Sequence, residues 1–131
     1  METETQAAKS SEHAAGIITI DDLKKVEIRI GEIRSAEPIA GSEKLLALSV
    51  DFGEEAPRQI LSGIAKQFPD PSQLLGRKCA FVTNLEPRKM MGLESRGMIL
   101  AVSGSLPDAE GGSFFSLLEA SPSVVPGSAV R

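Results

Sequence analysis

"RQILSGIAKQFPDPSQLLGRKCAFVTNL", residues 58–85, contains two strand-length runs with a helical turn between them. "RQILSGI" and "KCAFVTNL" are short, apolar and bounded by turn formers, the pattern of buried strands. Between them "DPSQLLG" offers Asp70 as a cap, Pro71 at the first helical position and Gly76 at the end. Pro87 stops the second run, because proline has no donor for a ladder. Cys79 and Phe81 alternate to the same interior side, so Cys79 reads as a small core hydrophobe.

Further strands flank this unit. "VEIRIGEIRSAEPI" alternates, with Val26, Ile28 and Ile30 on one side and Glu27 and Arg29 on the other. Gly31 breaks the phase and Ile33 resumes it one residue out of step, which predicts a bulge or sharp bend at Gly31. "KLLALSVDF" places Leu46, Leu48, Val50 and Phe52 on one face, and the turn "GEEAP" joins it to "RQILSGI" as a hairpin. "GMILAVSG" is a fifth strand. "TIDDLKK" has acids first and lysines last, the order a helix dipole favours, and is expected to be one helical turn. Residues 1–16 are small, polar and aperiodic, and read as a disordered tail or linker. Residues 17–131 then form one domain, with a barrel over about 24–104 and an extension over about 105–131 whose one apolar run is "FFSLL".

Five short strands, an early bend and a helix between strands three and four describe an all-β OB-fold barrel; an SH3-like barrel lacks that helix. No apolar run approaches the roughly 20 residues of a membrane span, and no signal peptide is visible. A single cysteine fits a reducing cytoplasm. The only histidine, His13, lies in the tail, so neither a metal constellation nor a Ser–His or Cys–His nucleophile pair is expected. Phosphate-loop and dinucleotide fingerprints are absent. The expectation is a non-catalytic chain without a cofactor.

The net charge of -4 hides an uneven distribution. Residues 58–102 hold Arg58, Lys66, Arg77, Lys78, Arg88, Lys89 and Arg96 against only Asp70, Glu86 and Glu94. A local excess of cations can attract a polyanion whatever the total, although solvated strand and loop ends produce the same pattern. The densest part is "NLEPRKMMGLESRGMIL", residues 84–100. Lys89 supplies a flexible point charge, while Arg88 and Arg96 can fork onto phosphate oxygens. Asn84 and Ser95 add uncharged hydrogen bonds, and Met98 offers a polarizable face for a base. Gly92 and Gly97 permit close approach or unusual turn angles. Each residue also fits a duller role: Met98 and Met90 in the core, Asn84 closing a turn. Together they predict a cationic ridge at the barrel mouth. With no Trp or Tyr, and with Phe52 and Phe81 taken by the core, base stacking is sparse. A folded RNA read by shape, phosphates and a few exposed bases fits better than an extended strand.

"SGIAK", "NLEPRKMMGLESRGMILA" and "PGSAVR", with "ITIDDLKKVEIRIGEI" and "GSEKLLALSVDFGEE", resemble the tRNA-binding domain found at the C-terminus of bacterial methionyl-tRNA synthetases and in free-standing dimeric tRNA-binding proteins. The resemblance runs in order from about Ile18 to Arg131. It implies an OB-fold that holds tRNA with little species preference, mainly at the outer corner of the L, as a homodimer in the cytoplasm. It also implies assistance to a synthetase catalytic unit, the methionyl enzyme. The family's binding surface corresponds here to Lys66, Asn84, Arg88, Lys89, Ser95 and Met98, with Ser62 and Arg58 less directly; Arg96 joins them from the charge reading. Met91 and Ala129 stand where relatives often carry arginine and lysine, which lowers the positive charge. A chaperone branch of the same barrel family implies an alternative, a dimeric protein-binding module using Met90, Met91, Leu93, Phe114 and Phe115. The chain reads equally as a free-standing protein and as part of a larger synthetase.

Overall fold

The structure, a computed structural model, describes residues 16–106 and 112–131. Apart from Gly16, the expected tail lies outside these residues, as does His13. A short helix, α1 (Ile20–Lys24), opens the described chain. Thr19 caps it by accepting from the Asp22 amide at 3.1 Å, and the Asp22 carboxylate accepts in return from the Thr19 amide. This reciprocal box satisfies two otherwise orphaned donors.

The core sheet runs β3-β2-β1-β4-β7 and is antiparallel throughout. Its strands are β1 (Ile28–Pro38), β2 (Leu46–Asp51), β3 (Arg58–Ser62), β4 (Lys78–Val82) and β7 (Met98–Ile99). The helix expected before β4 is a 3-10 turn, Pro71–Leu74, with Asp70 accepting from the Ser72 amide at 3.1 Å and Pro71 in the first turn. A second 3-10 turn, Ala65–Gln67, follows β3.

β1 is the strand shared by both sides of the barrel. Its first half, Ile28 to Glu32, pairs with β4; its second half, Glu32 to Pro38, pairs with β2. The expected bulge at Gly31 is displaced. Gly31 stays in register opposite Cys79, and the register slips between Ile33 and Ser35. Gly31 is needed instead for close approach, since a Cβ there would lie 2.5 Å from a Val50 methyl and 2.6 Å from the Phe52 ring. Val26, placed by alternation on the inner side, is 45% exposed because β1 begins two residues later.

Leu46, Leu48, Val50 and Phe52 are all buried, as their alternation predicts. Phe52 meets Phe81 edge-on, with centroids 5.3 Å apart. Cys79 is fully buried, and desolvation pushes its thiol up to about 12, which leaves it inert as a nucleophile.

The fifth strand divides at Leu100. β7 pairs with β4, but β8 (Ala101–Ser105) leaves the barrel and pairs with β9 (Ser113–Leu117), so "FFSLL" is half of a hairpin. The rest of the extension then covers two open edges. Residues 118–120 bond alongside β4 through Ala80 and Lys78. Residues 127–130 bond along the first half of β1, where β2 does not reach: the Gly127 amide donates to the Ile30 carbonyl at 2.7 Å and the Val130 amide to the Ile28 carbonyl at 2.8 Å. Unpaired edges are thereby removed from the two strands nearest the core.

Candidate nucleic-acid interface

Residues 88–95, which follow β4 and precede β7 along the chain, form a two-stranded ribbon, β5 (Arg88–Met90) and β6 (Leu93–Ser95). Met91 and Gly92 turn it, both at positive φ (52° and 79°), the geometry of a two-residue hairpin turn whose twist matches the flanking strands. The Met91 thioether methyl lies over Gly41, bringing the ribbon tip against the loop before β2.

Three contacts fix the base of the ribbon and close the barrel against β3. The Ser95 hydroxyl accepts from the Leu61 amide at 3.0 Å and donates to the Gly97 carbonyl. The Arg96 amide donates to the Gln59 carbonyl at 2.9 Å. Arg58 donates to the carbonyls of Thr83 at 2.8 Å and Arg96 at 3.3 Å, residues on either side of the ribbon. Glu54 grips the Arg58 guanidinium with both oxygens, at 3.0 and 2.9 Å, and the cation lies 5.4 Å from the Phe52 ring centre.

The bond from Arg58 holds the Glu54 carboxyl below its ordinary pKa, with Arg58, Arg29 and Arg96 adding through-space attraction. Asp51 is held low by the Gly53 amide and then by Arg34. A lowered folded pKa adds stability that is complete above the unfolded value and disappears as pH falls through the folded one. Denaturant midpoints should therefore fall as pH drops below about 5, and Glu54→Gln should flatten that decline. Parallel pH profiles for the two proteins would show that the Glu54 carboxylate does not secure this junction.

The expected site residues fall into groups. Arg88, Ser95 and Met98 line one small cleft of about 70 Å3, with Leu61, Leu85, Glu86, Met90 and Gly97 completing its wall. Met98 is 47% exposed there. Lys89 lies on the opposite ribbon face, directly across from Glu94. Arg96 follows β6 directly and lies within electrostatic reach of Glu54. The expected single ridge is thus a ribbon with cations on both faces. Ser62 ends β3 and Lys66 lies in the following 3-10 turn, outside the cleft lining.

Asn84 is occupied elsewhere. Its side-chain carbonyl accepts from the Glu27 amide at 2.9 Å, and its amide donates to the Lys25 carbonyl at 2.7 Å, which straps the segment after α1 to the barrel. Arg77 pairs with Glu119 and lies over the Phe68 ring, and Lys78 donates to the Pro122 and Val124 carbonyls. Of the basic segment, Arg58, Arg77 and Lys78 therefore hold the fold together. Lys66, Arg88, Lys89 and Arg96 are exposed and form no salt bridge with another described residue.

Sequence reasoning passed over Leu61, Leu85 and Glu86. Leu85 and Glu86 stood inside the basic stretch, but a reading weighted by positive charge discounts a leucine and an acid. Among the described residues no group of three or more His, Cys, Asp or Glu side chains is placed to hold a metal. No helix among them is long and apolar enough to cross a membrane.

A small antiparallel barrel with a cationic ribbon beside a thioether-lined cleft defines a polyanion-binding β-barrel module. Residues 28–129 match the family model described as "Putative tRNA binding domain", and the chain belongs to that family. It is 45% identical over 101 residues to the methionine–tRNA ligase of Caldanaerobacter subterraneus subsp. tengcongensis, covering 77% of this chain and 16% of that protein. Over 126 residues it is 40% identical to the methionine–tRNA ligase of Paraburkholderia xenovorans, covering 96% of this chain and 17% of that enzyme. The chain thus spans under a fifth of the length of these curated relatives. Among solved structures it resembles a protein related to methionyl-tRNA synthetase from Pyrococcus horikoshii, with a TM-score of 0.74 and 35% identity over 88% of this chain and 99% of that one. It also resembles the chaperone CsaA of Bacillus anthracis, with a TM-score of 0.69 and 25% identity, over 88% of this chain and all of that one.

Proposed function

We propose that this chain holds tRNA for an aminoacyl-tRNA synthetase, the methionyl enzyme, and carries out no chemistry itself. One observation carries the reading: Lys66, Arg88, Lys89 and Arg96 are exposed and form no salt bridge with another described residue, while the other cations of the same segment are used internally. Arg88 and Lys89 sit on a ribbon whose base is fastened at three points, so their positions are set before a ligand arrives. Pre-set donors lose less freedom on binding than a mobile basic tail would. Met98 and Met90 supply an apolar surface for a base beside those charges. Membership of the tRNA-binding family and kinship to methionine–tRNA ligases support tRNA and that enzyme as partners.

The mechanism is tethering. Holding tRNA beside a catalytic unit raises its effective concentration there, so a weak contact lowers the tRNA requirement without altering the reaction. A second copy of the chain would cover the outward side of the β8–β9 hairpin, where Val102, Phe114 and Leu118 are 45%, 46% and 43% exposed. The site of action is the cytoplasm, where synthetases meet their tRNAs.

Titrating bulk tRNA from low to physiological salt tests the reading. Three to five phosphate contacts give a log–log slope of roughly -2 to -4, because each contact releases condensed counterions. A flat titration overturns it. An unfolded polypeptide that binds more tightly than tRNA at physiological salt would favour the chaperone role borne by the B. anthracis neighbour. Sedimentation of the same samples reads the second-copy contact directly.

A further inference from the structure

Glu86 has no evident place in a polyanion-binding surface. It is exposed, forms no salt bridge with another described residue, and lines the cleft beside Arg88. A carboxylate in that position repels phosphate but can accept hydrogen bonds from donors on a ligand.

The cleft narrows the choice. Its floor and walls are Leu61, Leu85, Met90 and Met98, apolar and polarizable, suited to the flat face of a base. Ser95 lines it too, but the hydroxyl is already committed to the Leu61 amide and the Gly97 carbonyl. Glu86 lines the cleft as well and forms no salt bridge or side-chain hydrogen bond with another described residue, and as a carboxylate it only accepts. Arg88, on the same lining, is placed for the phosphate attached to that base.

An ionised carboxylate binds best to two adjacent donors, one for each oxygen. Among the unmodified bases only guanine presents two such donors side by side, N1–H and the N2 amino group. Adenine and cytosine pair one donor with a neighbouring ring acceptor, and uracil flanks its single N–H with two carbonyls. We propose that the cleft takes one unpaired guanine, with Glu86 reading its Watson–Crick edge, the methionines holding its face and Arg88 its phosphate. The inference rests on the tRNA-holding reading and adds a base preference to a surface otherwise indifferent to sequence.

The experiment uses the full chain and RNA hairpins that share one stem and differ at a single unpaired loop position: guanine, inosine, adenine, uracil or cytosine. Binding is followed by fluorescence anisotropy at fixed salt. Guanine should bind about tenfold more tightly than adenine, uracil or cytosine, the scale of one bidentate base contact at an exposed site. Inosine keeps N1–H but lacks the amino group, so it should fall between. Glu86→Gln should erase the guanine advantage while raising affinity for the other hairpins, because it also removes a charge that repels RNA. Equal binding of the five hairpins, or failure of all five while tRNA binds, overturns the guanine reading and leaves tRNA holding intact. Failure of every hairpin and of tRNA to bind overturns both. The inosine comparison leaves the protein untouched, so it decides the matter even if the variant folds poorly.

Discussion

Replacing Arg88 and Lys89 together with alanine should weaken binding to every tRNA by about 10- to 100-fold and reduce the steepness of the log–log salt dependence by about 2. Arg88 lines the cleft and Lys89 lies on the other side of the ribbon, so on the proposed reading the two engage separate phosphates and both counterion releases are lost. Neither side chain supports the fold through a salt bridge to a described residue, so the variant should keep its thermal midpoint. The control is Arg77→Ala. It removes one positive charge, from a guanidinium already held by Glu119 and Phe68, and should leave the salt slope alone. Unchanged tRNA affinity in the double variant would move the interface off the ribbon.

The largest effect on stability is expected from Gly127→Ala. Gly127 has a φ of 94°, a conformation that strains any residue with a Cβ, and that Cβ would be driven into the Phe52 carbonyl. The obstacle is backbone, not the free end of a side chain, so it cannot swing aside. The Gly127 amide also makes the 2.7 Å bond that starts the pairing of residues 127–130 with β1. Strain and clash together should cost about 3 kcal/mol or more, which lowers the melting temperature by roughly 10 °C or more for a domain of this size. Gly63→Ala, with open space around the added carbon and an ordinary backbone, should change it little. Circular dichroism melts of the two variants suffice. A midpoint for Gly127→Ala equal to that of the parent would mean that this segment is not seated on β1.

The barrel was legible because its strands alternate. The burial of Leu46, Leu48, Val50 and Phe52 follows from a period of two, and the 3-10 turn at Pro71 follows from its cap and proline. The split of the fifth strand was not legible, since "MILAVSG" is apolar across Leu100 and nothing local marks the change of partner. The edge pairing of residues 118–130 was hidden for a different reason. Backbone edges recruit partners without regard to side chains, and a Ser- and Pro-rich segment shows no period.

At the interface, residue type proved easier to read than availability. Arg58, Asn84 and Ser95 have the right donors, but each is bonded to backbone groups far away in sequence. The separation of Arg88 from Lys89 follows directly from ribbon alternation once a hairpin is recognised. The turn that makes the ribbon is Met91-Gly92, which carries only half of the usual asparagine-glycine signal.

The pairing of Arg29 with Ala129 joins positions 100 residues apart. During synthesis the first strand leaves the ribosome long before the segment that will flank it. Until then its outer margin has nothing to bond, and the nascent barrel must wait with that margin open. Contacts so distant in sequence also delay closure of the free chain, because the intervening loop must be ordered before any bond rewards it. Assembly of this small barrel is therefore expected to be gated by its final segment, and a nascent-chain chaperone would have its longest opportunity at β1.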